Sequence, residues 1–177
     1  MAGLCMVEGV RQFLDRYAQT KPEVFLPPGA LRSAASAGHE VVVRMLAHHP
    51  CVDTVGELKQ QILHDGSLSN VVHAVCFNGH MPVLDFILGL EGCEAAINAT
   101  GTGKGRFTAL HLAVLRHHEE MALRLLRCKS FTAVNEIDSA GQTALHLACQ
   151  QQLEEISLEI LRNPYFTKHG LVSSKGK

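Results

Sequence analysis

The hexapeptide TALHLA occurs twice in this chain, at residues 108–113 and again at residues 143–148, 35 residues further on. Each copy is followed by a second stretch in which apolar residues recur at helical spacing, MALRLL at 121–126 and ISLEIL at 156–161. Apolar residues repeating on this period form one stripe of an amphipathic helix. The pattern therefore predicts two copies of one structural unit, a helical hairpin, and not a chemical site used twice.

The hexapeptide also carries the signals of a helix start. Its threonine can cap a free backbone N–H with its hydroxyl, and Leu110, Ala113 and Val114 then fall on one face. The small alanine lets a neighbouring helix approach closely. Before the second copy stands DSAG at 138–141, with aspartate first and glycine fourth, which is typical of a type I turn.

Two weaker copies lie upstream, at residues 29–46 and 70–88. In the first, Leu31 aligns with Leu110, and in the second, Val75 aligns with Ala113. Both contain a Gly-His pair where the chain is expected to bend between its helices. The first helices of the four units are predicted to begin at Gly29, Asn70, Thr108 and Thr143.

A unit of about 33 residues with a turn, two helices and the motif T-P-L-H-x-A resembles the ankyrin repeat. The resemblance covers residues 24–163 as four repeats and implies an all-α solenoid of stacked hairpins with finger loops between them. Two features depart from the family pattern: the motif proline is alanine in repeats three and four, and the glycine of the bend is His117 and Gln152 there.

Outside the repeats we expect a capping helix and a tail. Residues 7–17 place Val7, Val10, Phe13, Leu14 and Tyr17 on one face, which predicts an amphipathic helix covering repeat one. The domain boundaries are then 1–23 for the capping helix and its linker, 24–163 for the repeats and 164–177 for the tail. The polar outer residues of repeat four indicate a terminal repeat with one face to water.

Two connections are longer than the family requires, before repeat two and before repeat three. In the first, at 51–69, Val55, Leu58 and Ile62 follow helical spacing, which predicts an extra turn or two of helix. In the second, at 89–107, a short helix is predicted around residues 91–97. Insertions in repeat proteins map to loops, often on the binding face.

The composition excludes several kinds of partner. Lys and Arg number 16 against 17 for Asp and Glu, and aromatic residues are 5% without tryptophan, so the chain lacks the charge and stacking groups of a nucleic-acid binder. The chain shows no secretory signal and no 18-residue apolar run. We therefore expect a cytoplasmic monomer, with the nucleus as an alternative, no membrane partner and six reduced cysteines, most of them buried.

The 11 histidines do not predict a metal site. Most occupy equivalent places in successive repeats, where they form a ladder instead of converging on one ion, and their expected role is to hydrogen-bond the next repeat. The stretch GTGKG at 101–105 lacks the spacing and the Ser or Thr of a phosphate-binding loop. No cofactor, metal or catalytic residue is predicted, and the chain is not expected to be an enzyme.

What the resemblance implies about function is protein binding through the concave surface and the fingers. Phe77 and Leu115 are apolar at equivalent, solvent-facing places. With Arg116 and Phe107 nearby, they form a candidate hot spot, unless the long loop before repeat two or three folds over and buries them. The alternative function is a regulatory or targeting part of a larger assembly whose partner carries the catalytic activity. The predicted partner-binding residues are Phe77, Asn78, Leu115, Arg116, Gln150, Gln151, Lys104, Arg106, Phe107, Ser139 and Gln142.

Overall fold

The protein folds as a series of helical hairpins. The computed structural model describes residues 2–20, 26, 29–59, 62–64, 67–101 and 105–167. In chain order, the elements are α1 (Ala2–Thr20), α2 (Ala30–Ser36), α3 (Glu40–His48), α4 (Thr54–Lys59), β1 (Ile62–His64), β2 (Ser67–Ser69), α5 (Val71–Asn78), α6 (Met81–Leu88), α7 (Cys93–Ile97), α8 (Ala109–Leu115), α9 (Glu119–Leu126), a 3₁₀ turn (Ala133–Asn135), α10 (Ala144–Gln150) and α11 (Glu154–Arg162).

Four hairpins form the four repeats, which confirms the predicted all-α solenoid. They are α2 with α3, α5 with α6, α8 with α9, and α10 with α11. The first helices begin where the sequence predicts, because the residues that precede them are Gly29, Asn70, Thr108 and Thr143.

The repeated motif forms a reciprocal cap at the start of the first helix. In repeat three the Thr108 hydroxyl accepts a hydrogen bond from the His111 backbone N–H at 3.3 Å. The Nδ1 atom of His111 in turn accepts from the Thr108 backbone N–H, also at 3.3 Å. The threonine and the histidine of T-x-L-H thus satisfy backbone donors that the first turn of a helix leaves unpaired.

The core runs through the stack between the two layers of helices. First helices pack on one another in the series α2, α5, α8 and α10. Their apolar faces are fully covered: Leu31, Val72 and Leu110, which occupy equivalent places, are each 0% exposed. Leu84 and Leu125 of the second helices close the same core from the other side, at 0% exposed. Each repeat therefore completes its core with its neighbour.

Histidines tie each repeat to the next, as the sequence predicts. The Nε2 atom of His80 donates to the Ser36 carbonyl at 2.9 Å, and that of His111 donates to the Gln142 carbonyl at 3.1 Å. Both bonds cross a repeat boundary. Among the described residues, no three His, Cys, Asp or Glu side chains come together where they could hold a metal ion.

The long connections are partly structured. Helix α4 confirms the extra turn predicted at Val55 and Leu58, but the helical prediction for Ile62 is wrong, because that residue belongs to β1. Strands β1 and β2 pair antiparallel, with Ile62 opposite Ser69. Helix α7 confirms the helix predicted around residues 91–97 and contacts α4, so the two insertions pack on each other.

Helix α1 contacts α3 of repeat one and includes the predicted residues 7–17. Leu14 is 1% exposed, whereas Phe13 is 58% exposed, so the expectation that Phe13 shares the buried face is wrong. The boundary predicted at residue 23 lies outside the described residues, as does the tail from residue 168 onward. Residues 164–167, at the start of the predicted tail, are described, and Phe166 among them is buried.

The end of repeat four differs from its expected polar character. Leu158 and Leu161 on α11 are 50% and 47% exposed, and Cys149 on α10 is exposed. The polar residues Gln150, Gln152, Glu154 and Glu155 are exposed as well, so the outer surface of this repeat is mixed. Among the five cysteines whose side chains are described, none forms a disulfide, and Cys51, Cys76 and Cys93 are buried.

Candidate protein-binding surface

Phe77 is the largest apolar side chain exposed on the first-helix layer. It lies near the end of α5 and is 45% exposed, so the alternative in which a long loop buries it is wrong. Arg116, the residue after α8, places its guanidinium carbon 4.5 Å from the centre of the Phe77 ring. A cation at this distance over an aromatic face is attracted by the ring quadrupole. Two repeats thus combine an exposed apolar ring and an exposed positive charge at one place.

Leu115 contributes less surface than predicted. It is the last residue of α8, at the place equivalent to Phe77, but it is only partly exposed and packs against the core. The expectation that Leu115 faces solvent is therefore wrong in part, because only part of its side chain is exposed. Leu115 therefore presents less area to a partner than Phe77 does.

The polar residues predicted at the ends of the first helices differ in how accessible they are to a partner. The Asn78 amide donates to the Ser36 carbonyl and lies near its hydroxyl, both at 3.1 Å, so it bridges repeats one and two. Gln150 is exposed and Gln151 is half-buried. Gln150 is therefore the more accessible of the two.

Two finger loops meet at their tips beside the first helices. Ser139 is exposed, and its backbone N–H donates to the Gly105 carbonyl at 2.9 Å. Arg106 is exposed with a positive φ of 49°, while Phe107 is half-buried with its ring centre 6.2 Å from that of His111. Lys104 lies outside the described residues.

Gln142 does not belong to this exposed set, and its predicted exposure is wrong. It is 4% exposed, and its backbone is held from both sides: the N–H donates to Asp138 Oδ1 at 2.8 Å and the carbonyl accepts from His111. The Asp138 carbonyl accepts from Gly141 N–H at 3.1 Å, which confirms the predicted turn. Gln142, the residue after the turn, therefore serves the interface between repeats three and four.

Burial shifts the pKa values of three interior side chains so that each favours its uncharged form. Burial lowers the pKa of His73 to about 4, although the backbone of Phe107 and Ala99 offsets part of that effect. Burial also lowers the pKa of His111, partly offset by the Gln142 carbonyl. Burial raises the pKa of the Cys76 thiol far above its usual range, and a protonated buried thiol is a poor nucleophile.

A family model for ankyrin repeats, in three copies, matches residues 71–168, which is more than half of the chain. The protein belongs to the ankyrin repeat family. The match covers the last three hairpins, and α2 with α3 extends the same architecture by one more. No curated protein matches the chain closely enough to be reported as a relative.

Ankyrin repeats are generally protein–protein interaction modules, and the family is typically non-enzymatic. Within the described part of the chain, no helix combines the length and the apolar character needed to span a bilayer. The class of protein thus points to binding as the activity.

Sequence reasoning missed the contact between Arg116 and Phe77 as a stacked pair, although it placed both residues near each other. The missing signal was rotamer geometry, which no spacing rule supplies. It also missed Asn98, whose amide donates to the Ser130 carbonyl at 2.7 Å while its oxygen accepts from Thr132 N–H at 2.7 Å. An asparagine at the equivalent place one repeat on, Asn135, was the available clue.

Proposed function

We propose that the protein is a non-enzymatic interaction module that binds a partner protein through its first-helix surface and its finger tips. The observation that carries the proposal is the 45% exposed Phe77 ring with the Arg116 guanidinium above it. Arginine is among the residues most enriched at positions that dominate binding energy, and aromatic side chains share that enrichment through Trp and Tyr. The exposed Arg106 and Ser139 extend the surface along the fingers.

The surface favours an apolar segment with an acidic group beside it. Phe77 offers apolar area, and Arg116 offers a planar donor that pairs with carboxylates in a bidentate manner. We propose that the protein does this as a monomer in a reducing compartment, the cytoplasm or the nucleus. The unpaired state of the five described cysteines supports the reducing compartment. The balanced net charge of −1 supports a protein ligand over a nucleic acid.

Quantitative affinity capture tests this function with matched variants. We expect Phe77→Ala and Arg116→Ala to lose the same bound proteins, because each removes one half of the pair. Val41→Ala is the control, since Val41 is 57% exposed on a second helix, away from the pair. Far-UV circular dichroism checks that each variant is folded.

Two results would contradict the proposal: capture that is unchanged in both Phe77→Ala and Arg116→Ala, or capture that Val41→Ala reduces equally. Leu115→Glu is not a clean probe, because its half-buried side chain supports the core and a buried charge there would unfold the repeat. Binding constants measured for one captured protein would then separate a loss of affinity from a loss of fold.

A further inference from the structure

Helix α4, in the first insertion, buries a glutamate that has no partner. Glu57 is 6% exposed. Neither oxygen of its carboxyl group is open to solvent, and neither has a hydrogen-bond partner among the described residues. Buried polar groups in proteins are almost always paired, because an unpaired group loses its hydration and gains nothing in return. The missing bonds of Glu57 therefore indicate a ligand that supplies them.

Helix α4 lies beside α7 of the second insertion, and this contact joins two acidic segments. A Cβ atom on Gly92 would be 3.3 Å from the Cγ1 atom of Val55. Residues 53–57 and residues 91–94 therefore lie side by side, and we call them together the acidic module. Its acidic side chains are Asp53, Glu57, Glu91 and Glu94.

The acidic module has no positive charge of its own. Its two segments contain four acidic residues and no Lys, Arg or His. The ion pairs within the described part of the chain all involve other residues. Burial raises the pKa of the Cys93 thiol, and the negative charge of Glu94 raises it further. The potential at the module therefore favours a positively charged ligand.

The donor geometry favours a guanidinium group over a metal ion. In the described ranges, no three His, Cys, Asp or Glu side chains converge as metal ligands. Both oxygens of Glu57 are unpaired, so they offer two adjacent acceptors to the two parallel N–H groups of a guanidinium. A guanidinium is also less strongly hydrated than an ammonium group, so it loses less on entering a closed site.

A ligand reaches Glu57 when α4 shifts away from its neighbours. Helix α4 has six residues, too few to be stable alone, and it is held by packing on α7 and α2. The carboxyl group of Glu57 bonds to nothing in the described chain, so the shift breaks no bond of that group. Asp53, Glu91 and Glu94 are exposed and attract a cation to the entrance.

We propose that the acidic module binds an arginine side chain in a basic segment of a partner protein, and that Glu57 pairs with the guanidinium. This site takes a ligand of the opposite charge from the one that suits Arg116. The inference does not depend on the proposed function of the Phe77–Arg116 pair, and a failure of either one leaves the other in place.

Fluorescence anisotropy with a synthetic probe tests the site. The probe is the fluorescein-labelled peptide Gly-Ser-Arg-Gly-Arg-Ser-Gly. Its control carries citrulline in place of both arginines, which keeps the shape of the side chains and removes their charge. The whole chain is compared as wild type, Glu57→Gln and Glu120→Gln. Glu120 is exposed on α9, so the second variant makes the same change in net charge away from the module.

We expect the arginine peptide to bind the wild type and Glu120→Gln equally, and to bind Glu57→Gln about tenfold more weakly or worse. The citrulline peptide should bind none of the three. The urea midpoint of Glu57→Gln should equal or exceed that of the wild type, because the amide removes an unpaired buried charge. This measurement separates the loss of the site from a loss of fold.

The proposal is overturned if the wild type does not bind the arginine peptide at up to about 1 mM, or if Glu57→Gln binds it as tightly as the wild type does. Equal weakening in Glu120→Gln would mean that net charge alone attracts the peptide. Equal binding of the citrulline peptide would remove the guanidinium from the argument. A lower urea midpoint for Glu57→Gln would assign the carboxyl group a role inside the fold instead.

Discussion

At the scale of single residues, the bend between the helices of each repeat shows how one position depends on its neighbour in the next repeat. Gly38 and Gly79 have positive φ values of 75° and 79°, and a Cβ atom on either would lie 2.6 Å from a histidine ring of the following repeat. His117 and Gln152 occupy the same bend with φ values of 56° and 61°. Leu153 stands after Gln152, where the earlier repeats have histidine.

Exchanging the residues at these bends should have opposite effects. Gly79→Ala adds a Cβ that meets the His118 ring and forces a side chain into left-handed backbone, so we expect it to destabilise the fold by about 2 kcal/mol. His117→Gly removes that backbone strain from an exposed residue, so we expect about 0.5–1 kcal/mol of stabilisation after the entropy of the added glycine. Urea unfolding of both variants measures the two shifts, and shifts of the same sign would refute the strain argument.

Histidine burial makes stability depend on pH. His73 is 1% exposed, and its pKa falls from 6.5 to about 4 on folding. The unfolded chain therefore binds more protons between these values, so the contribution of His73 is fully present above pH 6.5 and is lost as the pH falls towards 4. The lowered pKa of His111 acts in the same direction.

We expect the free energy of unfolding to drop between pH 7 and pH 4, with His73 supplying about 3 kcal/mol of the fall. Urea unfolding at intervals of pH measures it in the wild type and in His73→Gln, which removes the titrating ring. The variant should be less stable at neutral pH and should show a shallower fall. An equal slope in the two proteins would show that His73 does not carry the effect.

At the scale of elements, the first helices are short and depend on their caps. Helix α8 has seven residues, too few to be stable alone, and its first turn is closed by the reciprocal bonds of Thr108 and His111. Thr108 is 0% exposed, so its hydroxyl has no water to replace those bonds. Helix α8, and its packing between α5 and α10, therefore depend on this cap.

Thr108→Ala should destabilise the protein by about 1–2 kcal/mol, because it removes the cap from a buried helix start. Thr108→Ser keeps the hydroxyl and should cost clearly less. Thermal unfolding followed by circular dichroism compares the pair. A serine variant as unstable as the alanine variant would mean that the lost methyl group, and not the cap, decides the effect.

Element positions were predictable because the repeat supplies its own internal comparison. The starts at Asn70, Thr108 and Thr143 follow from the aligned motif, and the short helix expected around residues 91–97 is α7. The helical prediction for Ile62 failed because its spacing of seven residues from Val55 fits a helix. Its strand partner, Ser69, lies outside the stretch from Val55 to Ile62 that the spacing compares. Spacing reports local periodicity, and strand pairing is not local.

The candidate site was predictable in location but not in exposure. The family pattern placed Phe77, Arg116 and Ser139 on the accessible surface, where the structure has them. Gln142 and Leu115 were misjudged because exposure depends on the next repeat: His111 takes the Gln142 carbonyl, and the core takes one side of Leu115. A single repeat does not contain that information.

At the scale of the whole molecule, stability comes from interfaces between neighbours. Asn98 joins repeat two to the loop after α9, through Ser130 and Thr132 on the far side of the boundary. Asn135 makes the corresponding bonds to residues 165–167, at the end of the described stack. In a linear array, an interior interface connects two folded parts, while a terminal interface holds only what lies beyond it.

Asn98→Ala should therefore cost more than Asn135→Ala. We expect about 2–3 kcal/mol for Asn98, because the backbone N–H groups of Thr132 and Ala133 and the Ser130 carbonyl lose their partner, and less than about 1 kcal/mol for Asn135. Hydrogen exchange should show faster opening of α10 and α11 in Asn98→Ala, and of residues 163–167 alone in Asn135→Ala. Equal losses in both variants would contradict the array description.

The cover that Arg116 gives the Phe77 ring has a consequence for the free protein in a crowded solution. The guanidinium lies over one face of the ring and keeps other apolar surfaces from that face, so we expect less non-specific association than a bare ring would cause. A ligand that carries a carboxylate beside an apolar group could pair with the guanidinium and pack on the uncovered ring in one binding step. Under the proposed function, the pair would favour ligands that combine an apolar segment with an acidic group, so selectivity would rest on two side chains and not on the repeat scaffold.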